Sequence, residues 1–354
     1  MNYITSFLAT CGLSDDYGIL GLGTNQYQVN NSEFEKSIKL LNFLIKFHSL
    51  EEIIEFEEKN NIEESIFNKL LKHKLILNEQ EFIPKEDSSY FKNGLYFEAL
   101  NLNSRKLLDK FSSSTFIIVG CGGIGNYMSY SLSSFSPSKI ILIDGDTIEK
   151  SNLNRQFLFS LKDIGDYKSN VIKRELEKRN RNLNVDSYNK YVTNELMMKI
   201  VNPKEYNSKN CLVILSGDSD TAVLETTKFC TRFKIPFLNI GYLNDISVIG
   251  PFYIPDISSC PFCHNTLALE KKTNNIEQLI DKINHRYESP ANFTNNALSS
   301  SLAMSDIIQY ENGTYDNIKS LNKRLGIDNK TFEKYEIIVS KDEHCPYCSS
   351  EKVI

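Results

Sequence analysis

The chain has 354 residues, 41% of them hydrophobic, 24% charged and 11% aromatic, and it carries no tryptophan. A net charge of -5 and an isoelectric point near 5.7 argue against nucleic acid as the main partner, because phosphate backbones are bound by basic faces. No apolar run approaches the roughly 18 residues of a membrane span, and the N-terminus lacks the basic start and apolar core of a secretion signal. A membrane partner is therefore not expected, and a cytoplasmic location is.

Residues 1–87 read as a small α/β unit. Tyr17 to Val29 is hairpin-like, with Gly18, Gly21 and Gly23 between apolar residues. Phe34, Ile38, Leu41, Leu44 and Ile45 then recur at helical spacing after a cap at Ser32. Leu50 to Glu58 and Ile62 to His73 supply two further amphipathic helices. Leu75-Ile76-Leu77 and Glu81-Phe82-Ile83 read as the two strands of a ribbon. Helices followed by a ribbon suggest a winged helix, and a merely structural cap on the larger domain remains the other reading. Pro84 to Ser89 is polar and serves as a linker.

From residue 88 to 354 the pattern changes to apolar strands alternating with helices. Phe116-Ile117-Ile118-Val119 is apolar throughout, as a strand covered on both faces must be. Asn126 to Phe135 is the helix after it, Lys139 to Ile143 the next strand, and Asp166 to Arg179 a charged amphipathic helix. Cys211 to Leu215, Pro236 to Ile240 and Val248 to Ile254 are further strands. Such βαβ alternation predicts an α/β fold with a mainly parallel, Rossmann-like sheet. Residues 264–295 are polar and read as a crossing segment containing one helix.

The eight cysteines divide into two sets. Cys11, Cys121, Cys211 and Cys230 stand singly and read as buried reduced thiols. Cys260-Pro-Phe-Cys263 and Cys345-Pro-Tyr-Cys348 are two Cys-x-x-Cys pairs, which in a cytosolic chain point to metal. Four thiolates fill every position of a tetrahedral Zn²⁺ site, so that zinc is structural and pins the C-terminus.

Gly120-Cys121-Gly122-Gly123-Ile124-Gly125 follows an apolar strand and opens a helix. Its glycines let the backbone approach a phosphate, whose charge sits at the positive helix N-terminus. Asp144 lies 19 residues beyond Gly125, where a carboxylate can accept from ribose hydroxyls. A nicotinamide enzyme would look the same up to this point. The stretch Asp144-Gly-Asp146 to Ser151-Asn152-Leu153-Asn154-Arg155-Gln156, followed by Lys168, differs. An arginine and a lysine just past the ribose carboxylate suit attack on the α-phosphate of a triphosphate, where charge must be offset as pyrophosphate leaves.

These residues, with Asp218 at the end of the third strand, resemble the ThiF/MoeB/ubiquitin-activating superfamily over about residues 88–350. The resemblance implies that Asp144 holds the ribose, with Gly120, Gly122, Gly123, Gly125, Asp146, Asn152, Arg155, Gln156 and Lys168 completing the nucleotide site. Asp218 would bind Mg²⁺, and Arg155, Lys168 and Asp218 would act in catalysis. Superfamily members are expected to dimerise, and their usual triphosphate-reaching arginine is matched here by Lys92, a point charge without bidentate geometry. Thioester-forming members carry a cysteine in the crossing segment. This chain has none between Cys263 and Cys345.

Lys173 to Asn180, Gly241 to Ile246, Gly250-Pro251 and Leu321 to Arg324 are similar to the microcin C-type peptide nucleotidyltransferases, which carry a peptide-clamping winged-helix domain. That resemblance implies a short ribosomal peptide ending in asparagine as substrate, ATP or CTP as co-substrate, and Tyr242, Asn244 and Asp245 along the peptide channel. Adenylation-driven cyclisation of a precursor peptide (pantocin-type) and adenylation of a sulfur-carrier protein are the alternatives. A non-catalytic peptide-binding scaffold would require the loss of Arg155, Lys168 or Asp218, and all are present.

Overall fold

Backbone pairing in the first unit, Met1–Lys110, begins at the chain's own start. Strands β1 (Asn2–Thr5), β2 (Cys11–Leu13), β3 (Gly18–Leu20), β4 (Tyr27–Val29), β5 (His48–Ser49) and β6 (Ile76–Asn78) form two antiparallel three-stranded sheets, ordered β5-β1-β6 and β2-β3-β4. Helices α1 (Asn31–Phe43), α2 (Leu50–Asn60) and α3 (Glu64–Lys72) turn their apolar faces onto a core of Leu20, Leu40, Leu44, Ile53 and Leu70. Helices α4 (Ser88–Ala99) and α5 (Ser104–Ser113) follow. The computed structural model describes residues 1–85, 88–202, 204–217, 219–266, 275–284 and 286–349.

Three details differ from the sequence reading. Helix α1 starts earlier, because Asn30 rather than Ser32 is its cap, accepting from the Glu33 amide at 2.9 Å. Residues 81–83 do not form a ribbon with β6. The Glu81 and Phe82 amides bond back to the Asn78 carbonyl, and the Asn78 side chain accepts from the Gln80 and Glu81 amides, so the chain turns there and β6 pairs with β1 instead. Cys11 is exposed on β2 rather than buried, whereas Cys121, Cys211 and Cys230 are buried thiols.

The second unit, Phe111–Ile354, is organised by one eight-stranded sheet. Its strands are β7 (Thr115–Val119), β8 (Lys139–Ile143), β9 (Val185–Tyr188), β10 (Cys211–Leu215), β11 (Phe237–Leu243), β12 (Ile246–Tyr253), β13 (Lys323–Asp328) and β14 (Lys334–Ile338), ordered β14-β13-β12-β11-β10-β7-β8-β9. From β11 to β9 the pairing is parallel, and from β11 to β14 it is antiparallel. Ile117, Ile141, Val213 and Phe237 are fully buried, as strands covered on both faces require. Helices α6 (Gly123–Ser133), α7 (Lys168–Arg179), α8 (Asn194–Ile200) and α9 (Asp220–Phe233) make the crossovers, α10 (Asn275–Asn284) lies in the crossing segment, and α11 (Phe293–Asn312) packs on α6, β11 and β12. The chain leaves β7 for β8 on one side and returns to β10 on the other. Ligands of open α/β sheets bind at such a switch point, beyond the carboxyl ends of the strands. No helix among the described residues is long and apolar enough to cross a membrane.

The two Cys-x-x-Cys turns meet at the end of this unit. Sγ atoms of Cys260, Cys263, Cys345 and Cys348 all lie within 4.8 Å of one another, with Cys260–Cys345 at 3.6 Å, Cys260–Cys263 at 4.0 Å and Cys263–Cys348 at 3.4 Å. A tetrahedron with Zn–S bonds of about 2.3 Å has edges of about 3.8 Å. Four thiols at this spacing, none joined in a disulfide, fit a closed zinc site that could tie the C-terminal segment to the loop after β12. Purified protein should contain one zinc per chain by elemental analysis, and chelation should lower its melting temperature sharply, since such sites contribute about 10 kcal/mol or more. Folded protein that is free of metal refutes the assignment.

Candidate functional site

The loop after β7 turns back on itself with almost no space. Gly120 takes φ +92°, and a Cβ there would lie 2.6 Å from the Gly217 nitrogen; a Cβ on Gly125 would lie 2.1 Å from the Gly120 carbonyl oxygen. No other residue type fits either position without moving backbone. Asn126 braces the turn, donating to the Cys121 and Gly122 carbonyls at 3.1 Å while its own oxygen accepts from the Leu158 amide. From β10, Ser216 Oγ donates to the Gly120 carbonyl at 2.8 Å. Gly122 caps α6, so the free amides of the first helical turn are left for an anion.

Beyond the loop lies a cavity of about 990 Å³. Gly120, Gly122, Gly123, Asp144, Asp146, Arg155, Gln156 and Lys168 all line it. Asp144 is fixed by two amides, Cys121 N–H at 2.6 Å and Asp146 N–H at 2.7 Å. Burial nevertheless holds its carboxyl above the usual carboxylate range. Asp146 sits between Lys168, whose ammonium donates at 2.8 Å, and the Tyr191 hydroxyl at 2.7 Å. Burial opposes its ionisation, but these two donors and the lysine charge keep its carboxyl below the usual range. Arg155 is held over the pocket by the Ser151 carbonyl and the Asn154 side chain at 2.8 and 2.9 Å. The buried amide oxygen of Gln156 makes no hydrogen bond.

Other expected residues are placed differently. Asn152 is buried in the turn before Arg155, where its oxygen accepts from the Glu149 amide at 3.0 Å, and it does not line the cavity. Tyr242 does line it. Asn244 and Asp245 make the two-residue turn between β11 and β12, with Asn244 at φ 54°. Lys92 belongs to α4 of the first unit, its ammonium 5.7 Å from the centre of the Phe91 ring. Asp218 lies outside the described residues.

Several lining or bracing residues carried no recognisable signal in sequence. Tyr191 follows β9, whose Val-Asp-Ser-Tyr is only partly apolar; Asn126, Ser216 and Asn296 are small polar residues with no diagnostic spacing. Arg324 differs: the segment Leu321 to Arg324 carried a family resemblance, but nothing in it pointed to the cavity, because Arg324 lies on an outer antiparallel strand. The loop geometry gives a direct test. Gly125→Ala should abolish binding of a fluorescent ATP analogue and lower the melting temperature, since overpacking against backbone costs about 1–3 kcal/mol; unchanged binding contradicts the geometry.

Residues 97–348, well over half of the chain, match the ThiF family. A structure of E. coli MccB with succinimide superposes with a TM-score of 0.85 and 29% identity, covering 99% of this chain and 100% of that one. E. coli MccB with ATP gives 0.83, also at 29% identity, over 98% and 99%. SUMO-activating enzyme subunit 2 of Dictyostelium discoideum is 29% identical over 157 residues, 44% of this chain but 23% of that protein. The chain thus spans about a fifth of the length of the curated relatives it matches, and nearly all of the MccB structures. With a glycine loop, the Asp144 carboxylate, an arginine and a lysine gathered in one cavity at the switch point of the sheet, and with the family match over most of its length, the chain belongs to the ThiF family.

Proposed function

We propose that the protein is an adenylating enzyme that transfers a nucleotide to the C-terminal asparagine of a short ribosomal peptide. What carries the reading is one cavity shared by a phosphate loop, two cations and a far wall containing Tyr242 and Arg324. We read its volume of about 990 Å³ as room for a nucleotide and a second substrate together. Two-way coverage of MccB, of which structures with ATP and with the peptide MccA exist, favours a peptide as the second substrate.

In the proposed reaction a carboxylate oxygen of the peptide attacks the α-phosphorus, the bond to the bridging oxygen breaks, and pyrophosphate leaves with that electron pair. The asparagine side-chain nitrogen then attacks the activated carbonyl; it loses a proton and nucleoside monophosphate departs, closing a succinimide. The imide nitrogen, deprotonated, attacks the α-phosphorus of a second nucleotide and expels pyrophosphate, forming a P–N bond. No step needs a protein nucleophile, which agrees with the absence of cysteine between Cys263 and Cys345. The chain's part is positioning and charge: loop amides and Lys168 on the phosphates, Arg155 on the developing charge, Asp144 on the ribose. Asp218 is the proposed ligand of Mg²⁺, the ion that would further offset the triphosphate charge. Lys92 is proposed to reach the nucleotide of a partner chain in a homodimer.

Short peptides encoded beside the gene, incubated with ATP or CTP and Mg²⁺, should gain the mass of one nucleotide. Loss of water alone would favour the cyclising alternative. Arg155→Ala should cut pyrophosphate release by about 10²–10³, the effect of removing one donor to developing charge; near-normal release overturns its role. Activity per chain should fall on dilution below the dimer dissociation constant, and a fully active monomer rules out the Lys92 arrangement.

A further inference from the structure

Arg324 enters the cavity from β13, outside the parallel half of the sheet that carries the nucleotide residues. Gly241, Val248 and Gly326 are directly paired across β11, β12 and β13 and so share one face, and Arg324, two residues from Gly326, shares it too. A Cβ on Gly241 would meet no atom within 4 Å, so this face is open at Gly241. Burial holds the Arg324 guanidinium below its ordinary pKa, yet among the described residues no carboxylate pairs with it. A largely buried guanidinium with five donors and no anion is costly unless a ligand supplies the anion.

The strand carrying it is also held firmly. Asp306 on α11 accepts from the Lys319 and Ser320 amides at 2.8 and 2.9 Å and from Ser320 Oγ at 2.6 Å. Asn322 accepts from the Ser259 amide at 2.8 Å. Gly250 comes so close that a Cβ there would lie 2.4 Å from the Lys323 carbonyl oxygen. Buried supports of this kind preorganise a binding group.

Resting on the function proposed above, the geometry points to Arg324 as the residue that binds the peptide's C-terminal carboxylate, bidentately, and selects substrates that end in a free acid. Loop amides, Arg155 and Lys168 already answer the triphosphate, whereas the second substrate brings one obligatory charge, the carboxylate that must lie against the α-phosphorus. A guanidinium fork matches that group and holds its plane.

The test measures binding of short synthetic peptides ending in asparagine, as free acids and as C-terminal amides, to the full chain in the presence of a non-hydrolysable ATP analogue. Wild type should prefer the acid by about ten- to hundredfold, the span of a charge-assisted hydrogen bond. Arg324→Gln should bind acid and amide alike, Arg324→Lys should recover part of the preference, and affinity for the ATP analogue alone should stay within twofold. The assignment is overturned, with the peptide reading intact, if wild type binds acid and amide equally or if Arg324→Gln keeps the preference. Weakened binding of the ATP analogue would place Arg324 on the triphosphate instead. Failure of wild type to bind either form of any peptide overturns the peptide reading and this inference together.

Discussion

The contact on which the site depends is the approach of Gly125 to the Gly120 carbonyl, too close for any Cβ. It turns the chain from a buried strand directly into α6, and so aims that helix's free amides at the cavity beyond β7. Gly120 in turn lies against the backbone at Gly217, which brings the end of β10 into the same structure. Two strands that part at the switch point are joined there by the Ser216 hydroxyl on the Gly120 carbonyl. Remove the glycines and the helix must back away from the sheet, taking with it the anion site.

Around this point the charges are arranged so that none is stranded before a ligand arrives. Asp146 holds Lys168 in place, and Tyr191 holds Asp146. Asp144 receives two amides, one of them from the glycine loop itself, so this carboxylate and the loop are built as one piece. Arg324 stands on a pinned strand, and among the described residues no carboxylate pairs with it. In the proposed reaction a triphosphate replaces Asp146 as the anion beside Lys168, whereas the peptide carboxylate is the proposed anion for Arg324, which pairs with no described carboxylate.

Much of this was legible in the sequence. The segments Phe116–Val119, Lys139–Ile143 and Cys211–Leu215 are continuous apolar runs because both faces of the parallel strands are covered, and each is a strand in the structure. Strand β9, partly polar near the sheet edge, gave no such run. Helix α11 was missed for a different reason. Its buried face includes Asn295, Asn296, Ser299, Ser300 and Asp306, so it lacks the apolar stripe that marks an amphipathic helix. The false ribbon at residues 81–83 came from apolar alternation alone, which could not reveal that Asn78 closes a turn on its neighbours.

The sequence by itself determined the parallel core, the glycine loop, the paired cysteines and the cluster from Asp144 to Lys168. These signals are local: a strand covered on both faces, a loop that admits only glycine, ligands at fixed spacing. Only the tertiary structure decided that β1 rather than residues 81–83 completes the first sheet, that Asn152 is spent on capping a turn, and that Arg324 reaches the cavity beside the glycine loop. Each depends on contacts between residues far apart in the chain or on which hydrogen bonds a polar side chain has already made, and neither is written in a residue's immediate neighbours.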